Sequence, residues 1–150
     1  MNIPPENSYA LLEHLKIEEG FRSFPYLCTA KKMTIGYGRN IEDVGITENE
    51  AEILLVNDAV KASKQLEDSK WINDSQLNTP RKMALIAMIF QLGLGGVKKF
   101  KKMIAAINQG DWDEAAAQAM DSRWAKQTPR RAVFISTVLR SGVWPQDNKE

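Results

Sequence analysis

The hydrophobic positions between residues 8 and 19 recur at helical spacing. Leu11 and Leu15 are four residues apart and Leu12 stands beside them, so their side chains share one side of a helix. Gly20 follows as a natural helix stop. The pattern therefore predicts a first short helix over residues 8–19.

Residues 21–40 change from helical spacing to strand-forming residues separated by breakers. Thr34 and Ile35 favour extended backbone, whereas Gly36 and Gly38 interrupt it. We expect a small antiparallel hairpin or a three-stranded sheet in this stretch.

Capping signals mark where the next helices start. Thr47 and Glu50 have the spacing of a capping box, which predicts a helix over about 48–68. Thr79 followed by Pro80 is a second start signal, with Thr79 as the capping residue.

An uninterrupted apolar run follows the second start signal. Seven apolar residues from Ala84 to Phe90 predict a helix that is buried on all sides, the central helix of the domain. We expect another helix over 97–108, closed by Gly110.

The last two predicted helices again begin at caps. Asp111 and Glu114 predict the start of one helix, and Thr128 followed by Pro129 predicts the start of another that runs to about Arg140. The predicted order is a helix, a small sheet, a long helix and a helical bundle. This order indicates an α+β protein that is predominantly α.

Length and cysteine content limit the class of protein. A chain of 150 residues is within the usual range for one domain and can bury a sizeable core. Cys28 is the only cysteine, so no intramolecular disulfide can form, which suits a reducing cytosol. No signal-peptide pattern and no apolar run of about 18 residues is visible, so we expect a soluble protein.

The net charge of +1 conceals two halves of opposite charge. Residues 1–78 carry 8 Lys and Arg and 13 Asp and Glu, a net charge of −5. Residues 79–150 carry 12 Lys and Arg and 6 Asp and Glu, a net charge of +6. A basic second half is compatible with a polyanionic partner such as peptidoglycan, lipopolysaccharide or nucleic acid. A solvated surface of mixed charge explains the same composition.

Glu19 is the first candidate for chemistry because it continues the apolar side of the first helix. It stands four residues after Leu15 and eight after Leu11. A carboxyl group turned toward a core is desolvated, which raises its pKa as a general acid near neutral pH requires. The alternative is a solvated or ion-paired residue at a helix end.

The residues around Glu19 resemble the catalytic signature of the lysozymes of T-even phages, glycoside hydrolase family 24. The run EEGFRSFPYLCTAKKMTIGYG at 18–38 has the family's Glu before a Gly, its Asp or Cys nine residues later, and its Thr six residues after that. The resemblance continues, in order, in MIFQLG at 88–93, DWDEAA at 111–116, SRWAKQTPRRA at 122–132 and SGVW at 141–144.

The resemblance implies one catalytic domain over 1–150 with two lobes and a cleft between them. A small lobe of about 20–47 holds the sheet, and a helical lobe of about 70–150 includes the N-terminal helix. The helix over 48–68 joins the lobes.

The resemblance also implies a reaction, hydrolysis of the β-1,4 bond between N-acetylmuramic acid and N-acetylglucosamine in peptidoglycan. Glu19 is then the acid, and Cys28 and Thr34 hold the attacking water, the inverting pattern. Arg131 pairs with Glu19, and Gln91 lines the cleft. No cofactor or metal is implied.

Cys28 and Arg39 depart from the commonest family pattern. Many relatives have Asp where this chain has Cys28, and a neutral thiol is a poor base, so Cys28 either orients the water or is a small structural side chain. His14 has no pattern that ties it to Cys28, which argues against a cysteine nucleophile. Arg39 replaces a frequent His. The four tryptophans could stack on sugars, but three of them lie in the helical second half, where we expect core packing, and we assign none to substrate.

An endolysin of this kind is expected to be a monomer that is made in the host cytoplasm and reaches the periplasm after a holin-type protein permeabilises the membrane. It has no nucleic-acid partner, and its basic second half is available for contact with the anionic wall or outer membrane. Two alternatives stay open. One is a lytic transglycosylase that forms anhydro products, and the other is a non-enzymatic cationic lysis or wall-binding protein.

Overall fold

An N-terminal helix and a small sheet form the first of two units in the computed structural model, which describes residues 1–146. The first unit is Met1–Glu52 and the second is Ile53–Glu150. The N-terminal helix, predicted to belong to the helical lobe, is grouped with the sheet in the structure. The assignment of 1–150 to one catalytic domain stays a prediction.

The elements of the first unit follow the predicted order. They are α1 (Pro5–Glu19), β1 (Arg22–Leu27), β2 (Met33–Gly36), β3 (Arg39–Asn40) and the start of α2 (Glu48–Glu67). The three strands form one antiparallel sheet in the order β1-β2-β3, with Thr34 opposite both Tyr26 and Asn40. The predicted three-stranded sheet is confirmed.

Helix α1 has the predicted end, and its apolar side is exposed. Its last turn closes where the Gly20 amide, at a φ of 68°, donates to the Lys16 carbonyl. None of its residues is buried, and Leu11 and Leu15 are 40% and 42% exposed. Met1–Glu52 by itself therefore does not bury this side of α1, and the expected desolvation of Glu19 stays a prediction.

The capping box at the start of α2 is confirmed by both of its hydrogen bonds. The Thr47 amide donates to Glu50 Oε1 over 2.9 Å, and the Glu50 amide donates to Thr47 Oγ1 over 3.1 Å. The division between the two units falls within this helix, after Glu52.

The second unit is helical. After the rest of α2 it contains a short 3-10 helix (Asp74–Gln76), α3 (Thr79–Lys98), α4 (Lys101–Asn108), α5 (Trp112–Met120), α6 (Arg123–Gln127) and α7 (Pro129–Ser141). With the sheet of the first unit, these elements confirm the α+β, predominantly α class. The 3-10 helix and α6 were not predicted.

The predicted boundaries of α3 and α4 need correction. The cap of α3 is Asn78, whose Oδ1 accepts from the Arg81 amide over 3.1 Å, and Thr79 is already helical. The predicted helix over 97–108 is wrong at its start, because α3 runs on to Lys98 and α4 begins at Lys101. Gly93, at φ 76° and ψ 160°, breaks α3 before that point.

The apolar run at the centre of α3 is not buried on all sides. Ala84, Leu85, Met88 and Ile89 are buried, but Phe90 is 46% exposed. Ile86 and Ala87 are partly buried. The run has a core side and a second side that lines a groove in the same unit.

The cap of α5 is confirmed, and α7 begins differently from the prediction. Asp111 Oδ1 accepts from the Glu114 amide over 3.2 Å. Thr128 precedes α7 but its side chain makes no cap bond; its hydroxyl donates to the Trp124 carbonyl over 3.0 Å instead. Gly142, at a left-handed φ of 70°, ends α7.

The start of α3 and the end of α7 are joined by polar contacts. Asn78 Nδ2 donates to the Gly142 carbonyl over 2.9 Å, and Arg81 Nε donates to the Leu139 carbonyl over 2.8 Å. The Arg81 guanidinium also lies 3.9 Å from the centre of the Trp112 ring. These bonds satisfy carbonyls that the last turn of α7 leaves without helical partners.

One apolar cluster fills the second unit. Its fully buried large side chains are Leu85, Met88, Val97, Met103, Ile107, Val138 and Leu139. Among residues 1–146 no single helix is both long and apolar enough to cross a membrane; α3 and α4 together reach that length and apolarity but are bent by 100°.

Candidate active site

The turn between β1 and β2 brings Cys28 next to Thr34. The Cys28 amide donates to the Lys32 carbonyl over 3.0 Å, and the Lys31 amide donates back to the Cys28 carbonyl over 2.8 Å. Lys31 takes a left-handed φ of 60° to close this turn. Thr34 is buried and Cys28 is half-buried.

The Thr34 hydroxyl is bonded to the backbone of the turn that holds Cys28. Its Oγ1 donates to the Lys32 carbonyl over 2.9 Å, the same carbonyl that accepts from the Cys28 amide. The backbone of Lys32 and then the Thr34 side chain lower the pKa of the Cys28 thiol below its ordinary value. The Cys28 thiol therefore loses its proton more readily than the thiol of a free cysteine.

The Glu19 carboxyl group lies against the backbone of Gly38, in the turn between β2 and β3. A β-carbon added at Gly38 would stand 2.5 Å from Glu19 Oε2 and 2.9 Å from its Cδ. Gly38 also has a φ of 75°, which favours glycine. Within Met1–Glu52 the Glu19 carboxylate accepts no hydrogen bond and forms no ion pair.

Arg39, the residue after Gly38, binds the start of α2. Its guanidinium donates to both carboxylate oxygens of Glu50, over 2.9 and 2.7 Å, and to the Gly45 carbonyl over 3.1 Å. The hydrogen bonds that Glu50 accepts from Arg39 and then from the Thr47 amide lower its pKa to about 2. Arg39 stands where the lysozymes that this chain resembles often have His. It forms a bidentate ion pair that joins β3 to α2.

Gln91 and Arg131 line one groove of the second unit. The groove has a volume of about 920 Å³, and its wall is mostly apolar, with side chains from α2, α3 and α7. Thr128, Arg130 and Arg131 contribute polar groups at the start of α7. Concave, mostly apolar surfaces with a few polar groups are typical of ligand sites.

Trp124 holds the Gln91 side chain in this groove. The indole Nε1 donates to Gln91 Oε1 over 2.9 Å, and Gln91 Nε2 approaches Thr128 Oγ1 at 3.4 Å. Trp124 is 5% exposed, and its ring makes an edge contact with Phe100 at 6.0 Å between centres. The expected core position of Trp124 is correct, but its bond to Gln91 was not foreseen.

The structure groups the predicted site residues within each unit. The Cys28 amide and the Thr34 hydroxyl both donate to the Lys32 carbonyl, the Glu19 carboxyl group lies against Gly38, and Gln91 and Arg131 share a groove. Their catalytic and binding roles stay predictions, as does the Glu19–Arg131 pair.

Sequence reasoning missed two positions that shape the site, Gly38 and Trp124. Gly38 lies in the motif at 18–38 and Trp124 in the motif at 122–132, but both contact residues that are distant along the chain. In the part of the chain that the structure describes, no cluster of three or more His, Cys, Asp and Glu side chains could hold a metal ion.

The family model described as phage lysozyme matches residues 16–137. "Probable T4-type lysozyme 2" of Dictyostelium discoideum is 30% identical, in an alignment that covers 89% of this chain and 95% of that protein. The "Endolysin" of Acyrthosiphon pisum secondary endosymbiont phage 1 is 29% identical, in an alignment that covers 84% of this chain and 86% of that protein. The "Pre-baseplate central spike protein Gp5" of Enterobacteria phage T4 is 30% identical over 89% of this chain but only 28% of its own.

Proposed function

The chain belongs to the phage lysozyme family, and from that premise we propose that it hydrolyses the β-1,4 bond between N-acetylmuramic acid and N-acetylglucosamine in bacterial peptidoglycan. The observation that carries the proposal is the family match over residues 16–137, which includes all five predicted site residues. The structural support is the turn after β1, where the Cys28 amide and the Thr34 hydroxyl both donate to the Lys32 carbonyl.

Glu19 is the proposed general acid. It donates its proton to the glycosidic oxygen as the bond to the sugar's C1 breaks, so that the leaving sugar departs as an alcohol. The Gly38 backbone leaves room for the carboxyl group, which a side chain at that position would displace.

Cys28 and Thr34 are the proposed water-binding pair. While the Thr34 hydroxyl donates to the Lys32 carbonyl, its lone pairs are free to accept a hydrogen from water. The Cys28 thiolate, which its neighbours favour, accepts the second hydrogen and takes the proton as the water oxygen bonds to C1. Attack by water on the side opposite the leaving group gives inversion, for which the two catalytic groups stand about 6.5–9.5 Å apart.

Arg131 is the proposed partner of Glu19, and this part rests on the family resemblance alone. A guanidinium beside the carboxylate stabilises its charged form after the proton has been transferred. Replacing Arg131 by Met is expected to lower kcat more than it raises KM, since it affects the acid rather than sugar binding.

The decisive experiment is product analysis on purified peptidoglycan with the wild type and Glu19→Gln. A lost general acid costs about 10²–10⁴-fold in rate, so Glu19→Gln should be nearly inactive. The adjacent, exposed Glu18 provides the matched control, and Glu18→Gln should keep wild-type activity. Full activity of Glu19→Gln contradicts the assignment of the acid.

The products separate hydrolysis from transglycosylation. Hydrolysis leaves reducing N-acetylmuramic acid ends, whereas intramolecular attack by the sugar's own hydroxyl leaves anhydro ends, which differ by the mass of one water. Cys28→Asp should keep the hydrolytic products, and Cys28→Ser should slow the reaction because a neutral hydroxyl is a weaker proton acceptor. Anhydro ends from the wild type would replace the proposed reaction with the transglycosylase alternative.

The proposed biological role is that of an endolysin, acting on the wall after a holin-type protein has opened the membrane. Cells that express the protein should lyse when the membrane is permeabilised, and cells that express Glu19→Gln should not. Equal lysis by both would instead favour the non-enzymatic cationic protein.

A further inference from the structure

We infer that Trp124 fixes the amide of Gln91 so that its NH₂ group binds the acetamido carbonyl oxygen of a substrate amino sugar. The inference rests on the proposed function, because it names the part of the glycan that the groove recognises. It assigns Trp124 as a positioning residue that acts through Gln91.

The orientation of the Gln91 amide follows from the chemistry of indole. The Trp124 ring nitrogen is a donor only, so the Gln91 atom that faces it at 2.9 Å must be the carbonyl oxygen. Because Trp124 is only 5% exposed, water has little access to this bond. The amide oxygen is therefore turned toward the core, and the group turned away from it is the NH₂.

A ring of hydrogen bonds strengthens this orientation. The Thr128 hydroxyl donates to the Trp124 carbonyl over 3.0 Å, so Thr128 can only accept from Gln91. One Nε2 hydrogen points to Thr128 Oγ1 at 3.4 Å, which leaves the second hydrogen without a partner among residues 1–146. Gln91 is half-buried at the wall of the groove, where this hydrogen is available to a ligand.

The surroundings of Gln91 suit an acetamido group better than a sugar hydroxyl. An acetamido group presents a strong carbonyl acceptor beside a methyl group. Ala87, one helical turn before Gln91, lines the same groove, as do Ile86 and Phe90. A donor next to this apolar strip binds the carbonyl while the methyl group contacts the strip, whereas a hydroxyl would leave the strip without an apolar partner.

The test measures glycan binding in the Glu19→Gln background, where the fragments are not cleaved. N-acetylated peptidoglycan glycan fragments are compared with the same fragments after enzymatic de-N-acetylation. Gln91→Met removes the donor without adding charge and keeps the side-chain length. It should raise the Kd for the N-acetylated fragments about 3- to 10-fold, the range of one hydrogen bond, and change the Kd for the de-N-acetylated ones less than about 2-fold.

Gln118→Met is the matched control for this substitution. Gln118 is also half-buried, but it lies on α5 and does not line this groove. It should leave both Kd values unchanged. An equal effect of Gln91→Met on both kinds of fragment, or no effect on either, overturns the assignment of the acetamido carbonyl.

Trp124→Phe tests the positioning role. It removes the N–H but keeps a ring in edge contact with Phe100. Alone it should raise the Kd for N-acetylated fragments about 3-fold, and added to Gln91→Met it should have no further effect. A further effect in the double variant means that Trp124 contacts the glycan itself, which overturns the positioning role.

The proposed function and this inference fail in different ways. If the wild type does not cleave peptidoglycan and the Glu19→Gln parent binds neither fragment, the proposed function fails. If the wild type cleaves and the parent binds but Gln91→Met is silent, only the inference fails. If Trp124→Phe does not fold, the Gln91→Met comparison still decides which group the groove recognises.

Discussion

The two units of this protein are stabilised in opposite ways. Among residues 1–52, all of which the structure describes, the only buried residue is polar, Thr34. The second unit has one apolar cluster in which residues such as Leu85 and Leu139 are completely buried. The proposed acid and water-binding residues all belong to the unit without an apolar core.

The apolar core of the second unit is expected to supply most of the stability, whereas the polar contacts of the first unit position the proposed catalytic side chains. The first unit is held by local polar contacts, namely the turn at Cys28, the capping box at Thr47 and the ion pair of Arg39 with Glu50. The second unit is held by the packing of its apolar core. Losing buried side-chain volume should therefore destabilise it more than losing a polar contact. We therefore expect core substitutions to change stability and turn substitutions to change activity.

The largest effect on stability is expected from truncating a buried leucine in the second unit. Leu85→Ala should lower the free energy of unfolding by about 2–5 kcal/mol, because it removes buried methyl groups and leaves a cavity. Denaturant unfolding followed by tryptophan fluorescence measures this, since all four tryptophans lie after residue 70.

Leu27→Ala is the matched substitution in the first unit, at a position that is 62% exposed in β1. It should change the unfolding free energy by no more than about 0.5 kcal/mol, as measured by amide hydrogen exchange in Met1–Glu52. If the two leucines cost the same, the contrast between the units is wrong.

An intermediate effect is expected at two glycines of the sheet that share a left-handed backbone. Gly36 and Gly38 have φ values of 69° and 75°, so alanine at either position should cost about 1–2 kcal/mol. Only at Gly38 does the added β-carbon meet the Glu19 carboxyl group; at Gly36 it meets nothing within 4 Å. Gly38→Ala should therefore lower activity about 10- to 100-fold more than Gly36→Ala at similar stability. Equal activities would show that the position of the Glu19 carboxyl group does not depend on Gly38.

The smallest effect is expected from the ion pair between Arg39 and Glu50, and it depends on pH. The pKa of Glu50 is lowered to about 2, so its contribution to stability is fully present above the unfolded-state pKa of about 4.3 and is lost as the pH falls toward 2. Glu50→Gln keeps a capping side chain but not the charge. The wild-type advantage over this variant should be constant above about pH 5 and should shrink below pH 4.3.

Backbone amide exchange of residues 47–52, measured from pH 6 to pH 2, follows this local stability. Because the pair is partly exposed, added salt should also reduce the difference between the two proteins. Parallel pH curves for the wild type and Glu50→Gln would contradict the proposed link between Arg39 and the start of α2.

Most of what the sequence predicted correctly depends on neighbours along the chain. The Thr47 capping box, the Gly20 and Gly142 helix ends and the strands around Thr34 were all predictable, because their hydrogen bonds span a few residues. The family signature likewise named Glu19, Cys28 and Thr34 in one short run. Helix order, and with it the α+β class, follows from the same local signals.

Only the tertiary structure decided which side of each helix meets other elements. The exposure of Phe90, the break of α3 at Gly93 and the unpredicted α6 depend on how the helices pack, which no single segment encodes. The contacts of Glu19 with Gly38 and of Gln91 with Trp124 join residues 19 and 33 positions apart. A periodic pattern predicts that a residue is on a given side of a helix, but the partner on that side is chosen by the rest of the fold.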